Sequence, residues 1–571
     1  MEKLLNMLKT IPEYNILLDT IKKRHAAAVT GIGQINRSHL IAGLYSHTDH
    51  RPLVILCQDD MAAKRLQEEL KSFLKMTVPV LPSRDLTLYD TAVVSRGWEQ
   101  KRLRQLFDLA SGNTPIQIFS WESLSQRTMP PQILLGAAFH LEAGKEYVLE
   151  DLLTRLTASG YSRCGMVEGP GQFAVRGGIL DIYSPAADMP VRAEFFGDEL
   201  DTMGYFDPDT QRRTENVDSI TILPVGETQP RLHKGGLAGL CDDLHRMIAR
   251  QKRRKNPNED LIKTLTRDIE KYENGLSNPA SDRYMALIYD EITTAMDYIP
   301  AGATIVLCEQ SSLHRSARTR VEEMGLQLDS LLQSGLVAGE LCDYVCQWED
   351  FTAGLKSRTV VYLDTFGGSA YPEDCPPKQL LPITAKQLPG YGGNLDTAAA
   401  DLAHYQKMEF SCLVLCGSRH RAELLQEMLR ERNLSAFLCI PLTSMPHPGQ
   451  ILLAEGSLPY GMEYPGSKLA VLTEGQLLSH REVKRKTKKS ATNRQKLNSF
   501  TDLSPGDLVV HENYGIGRFV AMEQIRVDGA IKDYVKIAYQ GSDTLFVPAT
   551  QLEMVSKYIG GGGEDANVML N

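Results

Sequence analysis

Apolar residues along this chain change spacing several times, and each change marks a different kind of element. Residues 1–25 mix apolar and charged positions at helical spacing and predict an amphipathic helix. Residues 26–30 form an apolar run broken by Gly31 and Gly33, and a helix is expected after residue 38. Residues 52–57 read as a buried strand. Asp59 and Asp60 then sit where helix caps belong, ahead of a helix that stacks Leu66, Leu70 and Phe73 on one face. Between 160 and 199 the period drops to two, as in a half-exposed antiparallel sheet. Residues 230–300 are polar and helical, and residues 295–311 hold a strand that ends at Cys308 and Glu309. Strand-like runs recur at 359–364, 411–416 and 436–440. Ser418 caps a helix carrying Leu424, Leu425, Met428 and Leu429.

Residues 503–560 are the densest in turns. Pro505-Gly506 opens the stretch, Gly515 and Gly517 interrupt it, Asp528-Gly529 is a hairpin dipeptide, and Gln540-Gly541-Ser542 is a further turn. The short strands between these turns predict a small SH3- or Tudor-like β-barrel. Barrels of this size seldom hold catalytic clefts, so this segment points to a docking module.

Length and composition set the outer limits. At 571 residues the chain accommodates roughly three to five domains, and the fold class expected is multidomain α/β. Hydrophobic content of 42% and charged content of 23% are ordinary for a globular protein. A formal charge of −9 argues against a surface that coats nucleic acid, so any DNA contact is weak or local. Candidates for such contact are Lys252–Lys255 and the run 481–496, though a solvated surface and a flexible linker are the plainer readings. No apolar run approaches membrane-spanning length, and the charged N-terminus is unlike a signal peptide, so a cytoplasmic monomer is expected. The ten cysteines are scattered, mostly in apolar runs. Cys342/Cys346 and Cys412/Cys416 lack partner pairs at zinc spacing, so buried thiols and no metal are expected.

Two segments have the outline of nucleotide-binding motifs with the chemistry altered. A phosphate-binding loop needs GxxxxGK[ST], in which backbone amides wrap the phosphates and a lysine reaches the β and γ groups. After Gly31, Asn36 stands at the second glycine and Arg37 at the lysine, followed by Ser38. A Cβ at Asn36 crowds the loop, and the guanidinium fork differs from a lysine point charge. Downstream, Cys308 occupies the position of a magnesium-holding aspartate, beside a retained Glu309. A thiol is a poor ligand for a hard cation. The pair of losses predicts no ATP binding and no cofactor.

The wording of several segments resembles a known family. The pattern PGD-x-VVH, GIGRF, DG, DYxxIxY and LFVP in residues 503–560 closely resembles the RNA-polymerase-interacting domain of bacterial transcription-repair coupling factors, shared with CarD-type regulators. That resemblance implies docking on the RNA polymerase β subunit, with contact positions at Ile525 and Phe546; the alternative is that both fill the barrel core. Residues 1 to about 340 resemble the first two domains of the excision-repair helicase UvrB. They are closer still to the degenerate UvrB-like module of the coupling factors, with residues 82–90 in support. In the inserted sheet, the resemblance implies a site for UvrA at Arg176, Arg192 and Phe196, with Arg163, Phe173 and Glu194 nearby. Alternation puts one of Phe195 and Phe196 inside, and Phe195 is the expected inner one. The bland alternative is a phenylalanine core with solvated charges.

The expected organisation is a first UvrB-like domain in two parts (1–127 and 226–345) interrupted by a UvrA-binding domain (128–225). A third α/β domain (346–478), a basic linker (479–498), the polymerase-interacting domain (499–560) and the start of a connector (561–571) follow. A degenerate RecA/P-loop-like parallel sheet is expected in the first domain. The resemblance implies that ATP and magnesium belong to motor domains of a longer parent translocase, and that this chain is its non-catalytic N-terminal half. Rival expectations are a UvrB-like helicase fragment with residual nucleotide binding, and a CarD-like regulator without a repair role.

Overall fold

A computed structural model describes residues 1–89, 97–291, 293–367, 370–478, 494–496, 506–511, 515–527, 530–539, 544–548 and 555–558. The centre of the molecule is a six-stranded parallel sheet. In spatial order its strands are Gln379–Pro382, Ala27–Thr30, Thr359–Asp364, Thr304–Cys308, Leu53–Cys57 and Ile116–Ser120. The inner strands TVVYLD, TIVLC and LVILC are apolar and buried throughout because helices cover both faces. One face packs Val54, Leu56, Ile305, Leu307 and Tyr362 against Leu103, Leu106, Leu244 and Leu265. The other packs Val29, Ile55, Val306 and Val361 against Leu17, Leu40, Leu66 and Leu70.

Sequence reasoning placed the strand Thr359–Asp364 in the unit 346–478, yet it lies inside the first sheet, between Ala27–Thr30 and Thr304–Cys308. A continuous apolar run suits any parallel sheet, so the residues carry no address saying which one they join.

Between Ile116–Ser120 and Thr304–Cys308 the chain builds a second sheet, ordered Arg213–Asn216, Glu199–Phe206, Val191–Phe196, Ile179–Ile182, Gln172–Arg176 and Ser162–Arg163. It is antiparallel except for its last pair. The helix Leu149–Ala158 covers its inner face with Leu152 and Leu156. The helices Gly236–Lys252 and Glu259–Glu273 follow, the second capped by Asn258. Buried charges here are paired: Asp268 accepts from Arg283 at 3.1 Å and from the Tyr284 hydroxyl at 2.6 Å, and Arg84 pairs with Asp282.

A third, mixed sheet is ordered Lys386–Leu388, Gly461–Tyr464, Leu469–Thr473, Ser411–Cys416, Ile451–Glu455 and Ala436–Leu438. The helices Leu395–Lys407 and Arg419–Arg430 cover one side. The other side shares a core with the N-terminal helices, where Leu413, Leu415, Met462 and Tyr464 join the cluster of Leu4, Leu8 and Leu40. A fourth sheet is antiparallel, in the order Arg494–Lys496, Val555–Tyr558, Leu508–His511, Gly515–Val527, Ala530–Ala538 and Thr544–Pro548. Its core is Val509, Phe519, Val535, Ile537, Val547 and Val555. The composition of Arg494–Lys496 predicts the end of a flexible linker, but it pairs with Ser556–Tyr558 as an edge strand. Three polar residues without periodicity give no strand signal; the open edge beside them supplies the pairing. Among the described residues no helix is long and apolar enough to cross a membrane.

His39 ties the first and third sheets together. Its Nδ1 lies 2.9 Å from the Tyr464 hydroxyl and its Nε2 lies 3.0 Å from the Leu4 carbonyl. Burial disfavours the imidazolium and pushes the His39 pKa down to about 4. A depressed folded-state pKa means that the unfolded chain binds the extra proton, so this contribution is complete above about pH 6.5 and is lost as pH falls toward 4. At pH 5 the loss is about 2 kcal/mol relative to pH 7. Urea unfolding at the two pH values is expected to reveal this difference, and His39→Gln is expected to flatten it.

Candidate functional site

The outer face of the second sheet is set by two hairpins. Phe196 and Glu199 pair across a two-residue turn whose first position, Gly197, has φ +64°. Arg176 and Ile179 pair across Gly177-Gly178, with Gly177 at φ +61°. Both turns need a positive φ at that position, which glycine supplies without strain. The two tips are held together, since the Phe195 amide donates to the Gly178 carbonyl at 2.7 Å. A Cβ on Gly178 would meet the Phe195 oxygen at 2.7 Å, so the close approach also requires glycine.

Alternation along Val191–Phe196 sends Val191 and Ala193 into the core and Arg192, Glu194 and Phe196 outward. Phe196 is 83% exposed, whereas Phe195 packs at the edge of the core. Arg192 is committed within the fold: its Nε and Nη2 hold the buried Asp181 carboxylate at 2.7 and 2.9 Å, and its guanidinium lies 4.7 Å from the Phe206 ring centre. Glu194 pairs with Arg213 at 2.9 Å. Arg176 is exposed and donates to the Gly165 carbonyl at 2.6 Å. Arg163 is exposed on the far strand, opposite Phe173.

Phe173 differs from the expectation. It lies in the core beside Leu180 and Ile182 and presents nothing to a partner, because the alternation along Gln172–Arg176 turns it inward. Sequence reasoning missed Ile179, Asp181 and Arg213. Ile179 is exposed between Arg176 and Glu194 in the register, and its period-two spacing from Asp181 is the signal that could have found it. Arg213 carries no such signal, since its approach to Glu194 depends on strand order.

The second constellation surrounds the start of the helix Gln34–His47. Gly31 has φ +83°, and a Cβ there would meet the Ile383 oxygen at 2.7 Å. The helix begins at Gln34, earlier than the sequence suggests, and the Arg37 amide already bonds the Gly33 carbonyl at 3.0 Å. Residues expected to form an open loop are thus wound into the first turn, with Asn36 fully buried. Arg37 reaches across to ion-pair with Glu309 and donates to the Thr365 hydroxyl at 3.1 Å. The buried Glu69 accepts from the Ser38 hydroxyl and from the Gln34 side-chain Nε2 near the same helix end. Glu309 joins Thr304–Cys308 to the helix Gln310–Gln333 at φ +57°, a left-handed conformation that a non-glycine residue adopts only when its surroundings hold it. Thr365 provides such a hold, its amide donating to Glu309 at 3.1 Å. Arg37, Ser38, Glu69, Glu309 and Thr365 line a pocket of about 260 Å³ together with Cys57, Arg65 and Cys308.

In the fourth sheet Phe546 is 36% exposed, opposite Lys536, whose ammonium lies 5.5 Å from its ring centre. Ile525 falls in the strand Gly515–Val527 opposite Lys532, and its side chain lies outside the described residues. Lys252–Lys255 is exposed at the end of Gly236–Lys252, and residues 481–493 lie outside the described residues. Among the described residues no cluster of His, Cys, Asp and Glu could hold a metal ion.

Two segments of this architecture match family models: residues 139–227 match the UvrB interaction domain, and residues 503–559 match the CarD-like/TRCF RID domain. The first span contains the hairpins that carry Arg176 and Phe196, and the second contains Phe546. Over nearly its whole length the chain is similar to transcription-repair-coupling factors. It is 28% identical to that of Bacillus subtilis strain 168, covering 96% of this chain and 46% of the relative. It is 27% identical to that of Staphylococcus epidermidis (97% and 47%) and 26% identical to that of Staphylococcus aureus MRSA252 (95% and 46%). The chain therefore spans about half the length of the curated relatives it matches.

The two central positions of the outer face are expected to separate under mutation. Phe196→Ala leaves stability within about 0.5 kcal/mol, because the ring is in solvent. Arg192→Ala strands the buried Asp181 carboxylate and costs about 2–4 kcal/mol. Thermal or urea unfolding of the two variants checks the contrast.

Proposed function

We propose that this chain is the non-catalytic, N-terminal half of a transcription-repair coupling factor, which recruits UvrA with one surface and grips the RNA polymerase β subunit with another. The observation that carries the reading is Phe196, a large aromatic side chain held in solvent at a hairpin tip while Arg192 and Glu194 on the same strand are already paired. An exposed aromatic on a rigid face, rimmed by arginines, is the composition of an interface hot spot. On this reading Phe196, Arg176 and the newly found Ile179 meet UvrA, Arg163 lies at the rim, and Arg192 and Glu194 act by holding the face in shape. Phe546, over Lys536, is the polymerase contact on the fourth sheet, together with Ile525. That sheet is read as an SH3- or Tudor-like barrel and the first sheet as a RecA-like relic.

The nucleotide pocket is read as disarmed. ATP with magnesium does not fit the residues present. The Arg37 charge is neutralised by Glu309, Cys308 offers a thiol where a hard cation needs oxygen, and Glu69 sets a carboxylate at the helix N-terminus where a phosphate would sit. The work of displacing a stalled polymerase is assigned to the remainder of a longer protein. A cytoplasmic monomer that makes little DNA contact of its own completes the proposal.

Binding measurements on the purified chain test the two grips separately. Phe196→Ala is expected to weaken UvrA binding about 10–100-fold, in the range of a lost hot spot, and to leave polymerase binding unchanged. Phe546→Ala is expected to do the reverse. Wild-type protein that ignores both partners would overturn the proposal. Millimolar Mg-ATP is expected to leave the thermal midpoint unmoved; a rise would mean that the native state binds nucleotide.

A further inference from the structure

Two cysteines far apart in the sequence meet at the floor of the pocket beside Arg37. Cys57 ends the strand Leu53–Cys57, and Cys308 ends Thr304–Cys308. The strands are parallel neighbours in register, with Leu56 opposite Leu307, so the next residue on each faces the other. The two thiols act on each other as neighbours, the Cys57 thiol pKa shifted up and the Cys308 thiol pKa shifted down. Neighbouring strands lie about 4.8 Å apart, inside the window of roughly 4.4–6.8 Å that a disulfide spans between Cα atoms. Bond formation needs rotation of both side chains and a small inward shift of the strand ends, because the Cβ atoms of a disulfide lie about 3.5–4.5 Å apart. Both residues are nearly covered by protein, at 3% and 5% exposure, but both face the pocket of about 260 Å³ through which a small solute can arrive.

We propose that Cys57 and Cys308 form a dithiol site that a small hydroperoxide converts to a disulfide across the ends of the two strands. The Cys308 thiolate attacks the terminal peroxide oxygen and the O–O bond breaks. The leaving alkoxide or hydroxide takes a proton and departs as alcohol or water, which leaves Cys308 as a sulfenic acid. The Cys57 sulfur then attacks the Cys308 sulfur, the S–O bond breaks, and the oxygen leaves as water with the Cys57 proton. Two thiols lose two electrons and one peroxide gains them. The Cys308 thiol is shifted below its ordinary range: the neighbouring Cys57 and, more weakly, Arg37 favour the thiolate against the opposing effects of burial, Glu309 and Asp364. The remaining cysteines serve as internal controls in the same chain.

The site is independent of any partner. Its test is to expose the full native chain to hydrogen peroxide, block free thiols with N-ethylmaleimide, and map the peptides without reduction. The expected result is a linked peptide pair containing Cys57 and Cys308 that dithiothreitol separates, and that Cys57→Ser and Cys308→Ser each abolish. In Cys57→Ser the Cys308 sulfenic acid is expected to persist and react with dimedone. Wild-type protein in which both cysteines still carry maleimide after peroxide, or in which the link forms only in urea, would overturn the proposal.

Discussion

Parallel strand pairing is the constraint on which this molecule depends. A parallel pair cannot be closed by a tight turn, so each connection must cross back over the sheet. Here Leu53–Cys57 has Ile116–Ser120 on one side and Thr304–Cys308 on the other. Everything the chain builds between Ser120 and Thr304 must leave the sheet and return in register. The antiparallel sheet that carries Phe196 is such an excursion, and so is the helical pair Gly236–Lys252 and Glu259–Glu273. The buried pairs Arg84–Asp282 and Arg283–Asp268 fix where the return begins, since neither charge tolerates loss of its partner in the interior.

In open α/β sheets, ligands gather at the carboxyl ends of the strands, because side chains and helix N-termini converge there. In this protein that convergence is satisfied from within. Glu69 meets the helix end, Glu309 meets Arg37, and Asp364, at the end of its own strand, accepts from the Gln310 amide at 2.8 Å. Burial pushes the Asp364 carboxyl above its usual range, and the Gln310 amide offsets part of that. At the carboxyl ends of these strands the polar groups bind one another.

Much of this was legible in the residues. The apolar strands, the caps at Asp59 and Ser418 and the strands around the turns of residues 503–560 follow from local chemistry, and the caps are present with their hydrogen bonds. The outward turn of Phe196 follows from alternation alone. Sequence could not assign Thr359–Asp364 to its sheet or find the hold of Arg192 on Asp181. Each of these depends on strand order and register, which pair residues from distant segments. The strand Arg494–Lys496 is the extreme case, since the open edge of a neighbouring strand determines it more than its own composition does.

Arg192 and Asp181 divide labour with Phe196: the ion pair maintains the sheet, and the aromatic tip contributes nothing to it. Such a face has its shape and its chemistry under separate control. A substitution at the tip changes the chemistry of the face while the foundation beneath it keeps its shape.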